Sequence, residues 1–279
     1  MRFAKVHGLG NDFLLIDAMQ APARDYTAIA PVLCHRQTGV GADGLLIALP
    51  SSVCDIRMRI VNGDGSEAEM CGNGIRAFSK YVYEYGLVKK KAFTVETLAG
   101  EMRPELLLDE AGLVTGVRVD MGKPLFGCAE VPAIGEGECL NRRLVALDKE
   151  FTFSSVRMGV PHTAVMVDDP KTFDLRTYGP AIEKHRIFPQ RTNVNFFRVI
   201  DRDNIEMRTW ERGAGATLAC GTGSCGTAIL CCKNGLTGRS VDVHLELGVL
   251  HIDWAEDGTV YMTGPAEIVF EADFPEEKL

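Results

Sequence analysis

The sequence predicts an α+β protein made of two pseudo-symmetric domains with mostly antiparallel strands. Three observations carry that prediction. A chain of 279 residues is long enough for roughly two domains at about 150 residues each. Strand-forming runs greatly outnumber helical segments, and the two halves hold the same inventory. One constant offset also brings short motifs of the first half onto motifs of the second.

Taken in order, the first half opens with a run of large apolar residues, Phe13–Ile16, that reads as a strand. Asp25–His35 has helical period and length, Ile56–Val61 is β-branched and apolar, Gly74–Tyr85 is helical, and Phe93–Thr97 and Val114–Val119 read again as strands. The second half repeats the scheme. Strand Thr163–Val167, helix Asp174–His185, strands Val194–Ile200 and Ile205–Trp210, helix Gly223–Lys233, then strands Val241–Leu247 and Val249–Asp253 follow one another.

At an offset of 149 residues, the separation of Cys71 and Cys220, Cys71-Gly72-Asn73-Gly74 falls on Cys220-Gly221-Thr222-Gly223, and each tetrapeptide opens a helix. Leu9-Gly10-Asn11 falls on Met158-Gly159-Val160. Asn62, closing one strand, falls on Glu211, closing another. A strand gives way to Gly and Pro near Asp120-Met121-Gly122-Lys123-Pro124. The expected division is therefore 1–120 plus 263–279 for the first domain, which supplies Cys71, and 121–262 for the second, which supplies Cys220. The surplus tail would add a strand back to the first domain.

Composition narrows the function. Hydrophobic residues at 46% and charged ones at 24% are ordinary globular usage. A formal net charge of −8 argues against nucleic acid or a membrane surface as partner and for a small molecule. No leader-like segment opens the sequence, and no run approaches the about 18 apolar residues of a membrane helix, so the expected location is cytoplasmic. Nine cysteines, an odd number in a chain of this length, should be mostly reduced. No pair of C-x-x-C units occurs, so no metal is expected.

A cysteine followed at once by a glycine-rich turn and a helix is a specific arrangement. The positive end of the helix dipole should lower the pKa of such a thiol and favour thiolate, which can act as a base. Gly72, Gly74, Gly221 and Gly223 would let the backbone close around an anion such as a carboxylate. Having the device twice suggests opposed acid and base groups, the requirement for inverting a carbon centre: one sulfur removes a proton while the other returns one to the opposite face. Racemisation or epimerisation of an acid follows. Cys225, Cys231 and Cys232 read as packing residues. Gly39-Val40-Gly41-Ala42-Asp43-Gly44 and Gly221-Thr222-Gly223-Ser224-Cys225-Gly226 both fit G-x-G-x-x-G, but neither lies in a convincing βαβ unit, so dinucleotide binding is set aside.

His7-Gly8-Leu9-Gly10-Asn11-Asp12-Phe13, Asn62-Gly63-Asp64-Gly65-Ser66-Glu67, Met70-Cys71-Gly72-Asn73-Gly74-Ile75-Arg76, Glu211-Arg212-Gly213-Ala214-Gly215 and Ala219-Cys220-Gly221-Thr222-Gly223, in this order over nearly the whole chain, resemble the diaminopimelate epimerase family. The resemblance implies strands wrapped around a central helix in each domain, with the active site in the cleft between the domains. It implies a homodimer that interconverts LL- and meso-diaminopimelate without a cofactor, by a two-base thiol mechanism, in lysine and peptidoglycan precursor biosynthesis. It assigns catalysis to Cys71 and Cys220 assisted by His162 and Glu211. Substrate contacts fall to Asn11, Asn62, Asn193, Glu211, Arg212 and the turns Gly72-Asn73 and Gly221-Thr222.

Two positions depart from the family pattern: Val160 where an Asn is frequent, and Gly44 where some members carry Gln. For Asn195, two residues beyond Asn193, the sequence leaves open whether it faces the site. The competing readings are a cofactor-independent racemase of another amino acid, histidine for example, and an amino-acid-binding protein without chemistry.

Overall fold

The computed structural model describes residues 1–21 and 23–279. It divides into two units, Met1–Val119 with Gly264–Leu279, and Asp120–Thr263. The first contains β1 (Arg2–Gly8), β2 (Asn11–Asp17), α1 (Tyr26–Leu33), β3 (Gly44–Leu49), β4 (Ile56–Asn62), β5 (Glu67–Ala68), α2 (Gly72–Glu84), β6 (Val95–Thr97), β7 (Gly100–Met102), β8 (Glu105–Leu108) and β9 (Val114–Asp120). The second contains β10 (Arg142–Ala146), β11 (Lys149–Met158), β12 (Val160–Met166), α3 (Leu175–Glu183), β13 (Asn193–Val199), β14 (Asn204–Glu211), β15 (Gly215–Thr217), α4 (Gly221–Lys233), β16 (Ser240–Leu245), β17 (Gly248–Trp254) and β18 (Val260–Gly264). β19 (Glu267–Asp273) returns to pair antiparallel with β1.

The two sheets share one wiring. In the first unit the order is β19-β1-β2-β3-β4-β6-β7 with β5 beside β4; in the second it is β10-β11-β12-β13-β14-β16-β17-β18 with β15 beside β14. β19 thus occupies in one unit the edge that β10 occupies in the other. Pairing is mostly antiparallel, but each unit has two parallel pairs at matching places, β2/β3 with β4/β6 and β12/β13 with β14/β16. A helix bridges each, because parallel neighbours need a long crossover. The second glycine motif therefore lies between parallel β14 and β16, contrary to the expectation that it sits outside a βαβ unit. β15 intervenes, so α4 does not spring directly from the strand.

Period-two side-chain direction decides what each face covers. Leu14, Ile16, Leu45, Ile47 and Val61 join Tyr26, Ala30 and Leu33 of α1 in one core cluster. The alternate residues face α2, which packs on β1, β2, β3 and β19. In the second unit α4 packs on β11 to β14, β16 and β17, while α3 closes a core with Phe151, Phe153, Phe173 and Phe196. α4 is buried almost all round, as a helix wrapped by strands must be. The apolar run at Phe93–Thr97 forms a strand only over Val95–Thr97.

Candidate active site

In the first unit the turn between β1 and β2 puts Asn11 at the start of β2, facing the first turn of α2. Cys71 is the N-cap residue, extended at φ −139° and ψ 119°, and its sulfur accepts the Gly74 N–H at 3.4 Å. Its thiol in turn donates to Asn11 Oδ1 at 3.4 Å, and Asn73 Nδ2 donates to the same oxygen at 3.3 Å. Asn11 is held in that orientation because its own amide donates to Asp43 Oδ2 at 2.7 Å, and Asp43 is paired with Arg36 at 2.8 Å. Beneath the turn lies Arg76, fully buried, donating to Gly72 O and Asn73 Oδ1 at 3.0 Å each and to Pro265 O at 3.2 Å. Asn62 closes β4, and its side chain donates to Ser66 Oγ at 2.9 Å within its own turn. Gly44 admits no side chain: a Cβ there would stand 2.6 Å from Val61 O, so a Gln at this position would require β4 to move.

In the second unit Cys220 is the N-cap of α4, extended at φ −127° and ψ 107°. Its thiol donates to Glu211 Oε2 at 3.4 Å and lies 3.7 Å from Thr222 Oγ1; Glu211 Oε1 accepts from Thr217 Oγ1 at 2.5 Å. The expectation of a lowered pKa does not hold here. Burial and the adjacent Glu211 carboxylate raise the Cys220 thiol well above its ordinary value, outweighing the Thr222 hydroxyl and the Gly223 N–H, which work the other way. Cys220 rests as a thiol.

Asn193 and Arg212 are brought together through the backbone. Asn193 Oδ1 accepts the Arg212 N–H at 2.8 Å while its Nδ2 donates to Pro161 O at 3.0 Å, which ties the Glu211-Arg212 corner to β12. The Arg212 guanidinium donates to Gln190 O at 2.9 Å. His162, on β12, is wholly buried; burial first and the Arg212 charge second push its pKa down to about 3, so it is neutral. Its Nε2 has no hydrogen-bond partner among the described residues, and leaving a buried donor unpaired costs about 1–3 kcal/mol. Val160 pairs with Met158 across β11 and β12 and offers no hydrogen bond where its repeat equivalent Asn11 offers an amide.

Asn195, which the sequence left open, and Thr209, which it did not single out, are linked to His162 by hydrogen bonds. Asn195 shares the inward face of β13 with Asn193, and its Nδ2 meets His162 Nδ1 at 3.4 Å; its Oδ1 accepts from Thr209 Oγ1 at 3.0 Å. Gly223 and Gly226 seat α4 on this pair. A Cβ at Gly223 would stand 2.7 Å from Asn195 Oδ1, and one at Gly226 would stand 3.0 Å from Val156 and 3.4 Å from His162. These glycines thus serve close packing of the helix as well as turn geometry. A signal was available: at offset 149, Asn195 falls on Leu46 and Thr209 on Ile60, polar for apolar in matching strands.

All nine cysteines are unbridged. Among the described residues, no cluster of three or more His, Cys, Asp or Glu side chains could hold a metal ion, and no helix is long and apolar enough to cross a membrane.

Comparison with known proteins adds three findings. The family model described as "Diaminopimelate epimerase" matches residues 3–126 and 154–269. The diaminopimelate epimerase of Heliobacterium modesticaldum is 49% identical over 280 residues, covering 99% of this chain and all of that one; the enzyme of Desulfitobacterium hafniense is 50% identical over 283 residues, covering 100% of both. Among solved structures, a Bacillus anthracis phenazine biosynthesis protein of the PhzF family superposes with a TM-score of 0.70 at 18% identity over 98% of each chain. A probable proline racemase from Agrobacterium radiobacter superposes with a TM-score of 0.67 at 15% identity over 99% of this chain and 93% of that one. At such identities the structural matches speak for the fold alone.

Proposed function

Since the chain belongs to the diaminopimelate epimerase family, we propose that its epimerase activity, an isomerase step of lysine biosynthesis acting on a small-molecule substrate, runs by a two-base mechanism through Cys71 and Cys220. One sulfur, as thiolate, takes the α-proton of diaminopimelate; the other, as thiol, gives a proton to the opposite face of the same carbon. The electron pair left by the first transfer is held on the substrate carboxylate as an enolate-like charge. The N–H groups in the first turns of α2 and α4, at Gly72-Asn73 and Gly221-Thr222, together with the positive ends of the helix dipoles, offset that charge, with no cofactor required.

The observation that carries this reading is the equivalence of the two helix starts. Each cysteine is an extended N-cap, and each donates its S–H to an oxygen 3.4 Å away, Asn11 in one unit and Glu211 in the other. The two acceptors differ in kind, and that difference divides the work. Cys220, held as a thiol by burial and by Glu211, is the proton donor in one direction. That donation leaves Cys220 as the thiolate and Cys71, having taken the α-proton, as the thiol, so the reverse direction runs from this state with Cys220 as the base and Cys71 as the donor. Asn11 is neutral and orients the Cys71 thiol. Asn62, Asn193 and Arg212 serve the polar groups of the substrate. The family resemblance further supports a homodimer working in the cytoplasm.

In deuterated water, wild-type protein given LL-diaminopimelate should form meso-diaminopimelate carrying solvent deuterium at the inverted α-carbon. Cys71→Ala and Cys220→Ala should each abolish inversion. Full epimerisation by either single variant would overturn the two-base assignment. Exchange on another amino acid but not on diaminopimelate would redirect the substrate, and tight binding without exchange would identify a binding protein.

A further inference from the structure

The repeat is broken at one buried place, and the break is chemical. In the first unit Phe13, Leu46 and Ile60 stand at positions that offset 149 maps onto His162, Asn195 and Thr209 in the second. The strand registers agree: Leu46 pairs with Ile60 as Asn195 pairs with Thr209, and Phe13 lies opposite Gly44 as His162 lies opposite Asn193. All six side chains are buried. One fold, wired identically, closes its interior with three apolar residues in one unit and with a hydrogen-bonded polar chain in the other. Packing cannot be the reason for the polar set, because the apolar set packs the same frame.

The chain has a direction. Thr209 Oγ1 donates to Asn195 Oδ1 at 3.0 Å, which turns the Asn195 NH2 toward His162 Nδ1, 3.4 Å away. An amide NH2 can only donate, so Nδ1 must accept, and the single proton of a neutral imidazole then sits on Nε2. Nε2 is buried and unpartnered among the described residues. Gly223, pressed against Asn195 Oδ1, and Gly226, pressed against His162, lock the two side chains under the helix that Cys220 caps.

We propose that Asn195 and Thr209 are positioning residues that fix His162 as its Nε2–H tautomer, so that the ring offers a neutral hydrogen-bond donor to an anionic group brought by the substrate. This rests on the epimerase reading above and adds to it two residues and a protonation state. A donor that cannot give up its proton polarises developing charge without adding a third acid to a two-base reaction.

The test uses the full-length protein labelled with nitrogen-15 histidine. Long-range proton–nitrogen spectra, with His162 assigned by its loss in His162→Gln, report which ring nitrogen carries hydrogen. Wild type should show a protonated Nε2 and a bare Nδ1. Asn195→Asp, whose carboxylate can only accept, should move hydrogen to Nδ1 and lower kcat for diaminopimelate by about 10- to 100-fold, with KM changed by less than about threefold. Thr209→Val frees the amide to turn and should lower kcat in the same sense, while Thr209→Ser restores it. Wild-type His162 protonated at Nδ1 would overturn the proposal, and so would Asn195→Asp or Thr209→Val keeping both the wild-type tautomer and the wild-type kcat. Should wild type fail to epimerise diaminopimelate at all, the functional reading falls, while the tautomer measurement still decides whether Asn195 sets it.

Discussion

Removing the charge of Glu211 should lower the pKa of the Cys220 thiol toward that of ordinary thiols without reaching it. Glu211→Gln keeps the shape of the side chain beside the sulfur but deletes the carboxylate whose Oε2 lies 3.4 Å from Cys220 Sγ. Two unit charges at that separation repel by about 1 kcal/mol in bulk water and by about 5 kcal/mol at an effective dielectric of about 20. The thiol pKa should fall accordingly, because the lost repulsion is what disfavoured the thiolate beside the carboxylate. Burial, the larger cause of the raised value, is unchanged by the substitution, so the thiol should remain above a solvated cysteine. The assay is the carbon-13 resonance of the Cys220 β-carbon against pH, assigned by its loss in Cys220→Ser. Wild-type Cys220 should keep its proton where ordinary thiols lose theirs, and the variant midpoint should lie lower. Equal midpoints, or a wild-type midpoint below the ordinary thiol value, would refute the reasoning.

Other expectations follow from single contacts. Arg76→Met leaves the carbonyls of Gly72 and Pro265 and the Asn73 amide oxygen short of a donor, while relieving the burial of a charge; a net loss of about 2–5 kcal/mol in urea unfolding is expected, and an unchanged midpoint would contradict it. Gly223→Ala drives a methyl to 2.7 Å from Asn195 Oδ1 and should lose about 1–3 kcal/mol, whereas Gly74→Ala, whose nearest neighbours are Leu46 Cδ2 at 3.2 Å and Cys71 Cβ at 3.3 Å, should lose less; equal losses in thermal unfolding would count against the close approach. On the surface of the second unit, burial works to lower the His251 pKa, but the Asp242 and Asp253 carboxylates outweigh it and raise the value. The stability contributed by protonated His251 should therefore be complete below about pH 6.5 and vanish as pH rises through the higher folded-state value, which comparison of His251→Asn with wild type across that range can check. A stability difference that grows with pH would have the wrong sign.

Much of the architecture was legible because it is written in local pattern. The four helices lie where helical period places them, and α2 and α4 begin at Gly72 and Gly221, two residues earlier than the apolar period alone suggests, since a cysteine N-cap can open each helix on its glycine. Runs buried on both faces were harder to read. β3, Gly44–Leu49, has almost no exposed position and hence no alternation, and β11 and β19 depend on partners distant in sequence.

The sequence by itself determined the α+β class, the repeated cysteine-glycine helix starts and the family, because each is encoded in residue order over a few positions or in the recurrence of such motifs at a constant interval. Only the tertiary structure decided the state of the chemistry. The helix dipole at Cys220 argued for thiolate, but burial and Glu211 hold the proton in place, and neither is visible until β14 and α4 are folded together. The chain from Thr209 through Asn195 to His162 joins three strands whose residues are neighbours only through sheet register. A side chain's electrostatic environment is a sum over contacts made across the fold, and sequence order does not carry that sum.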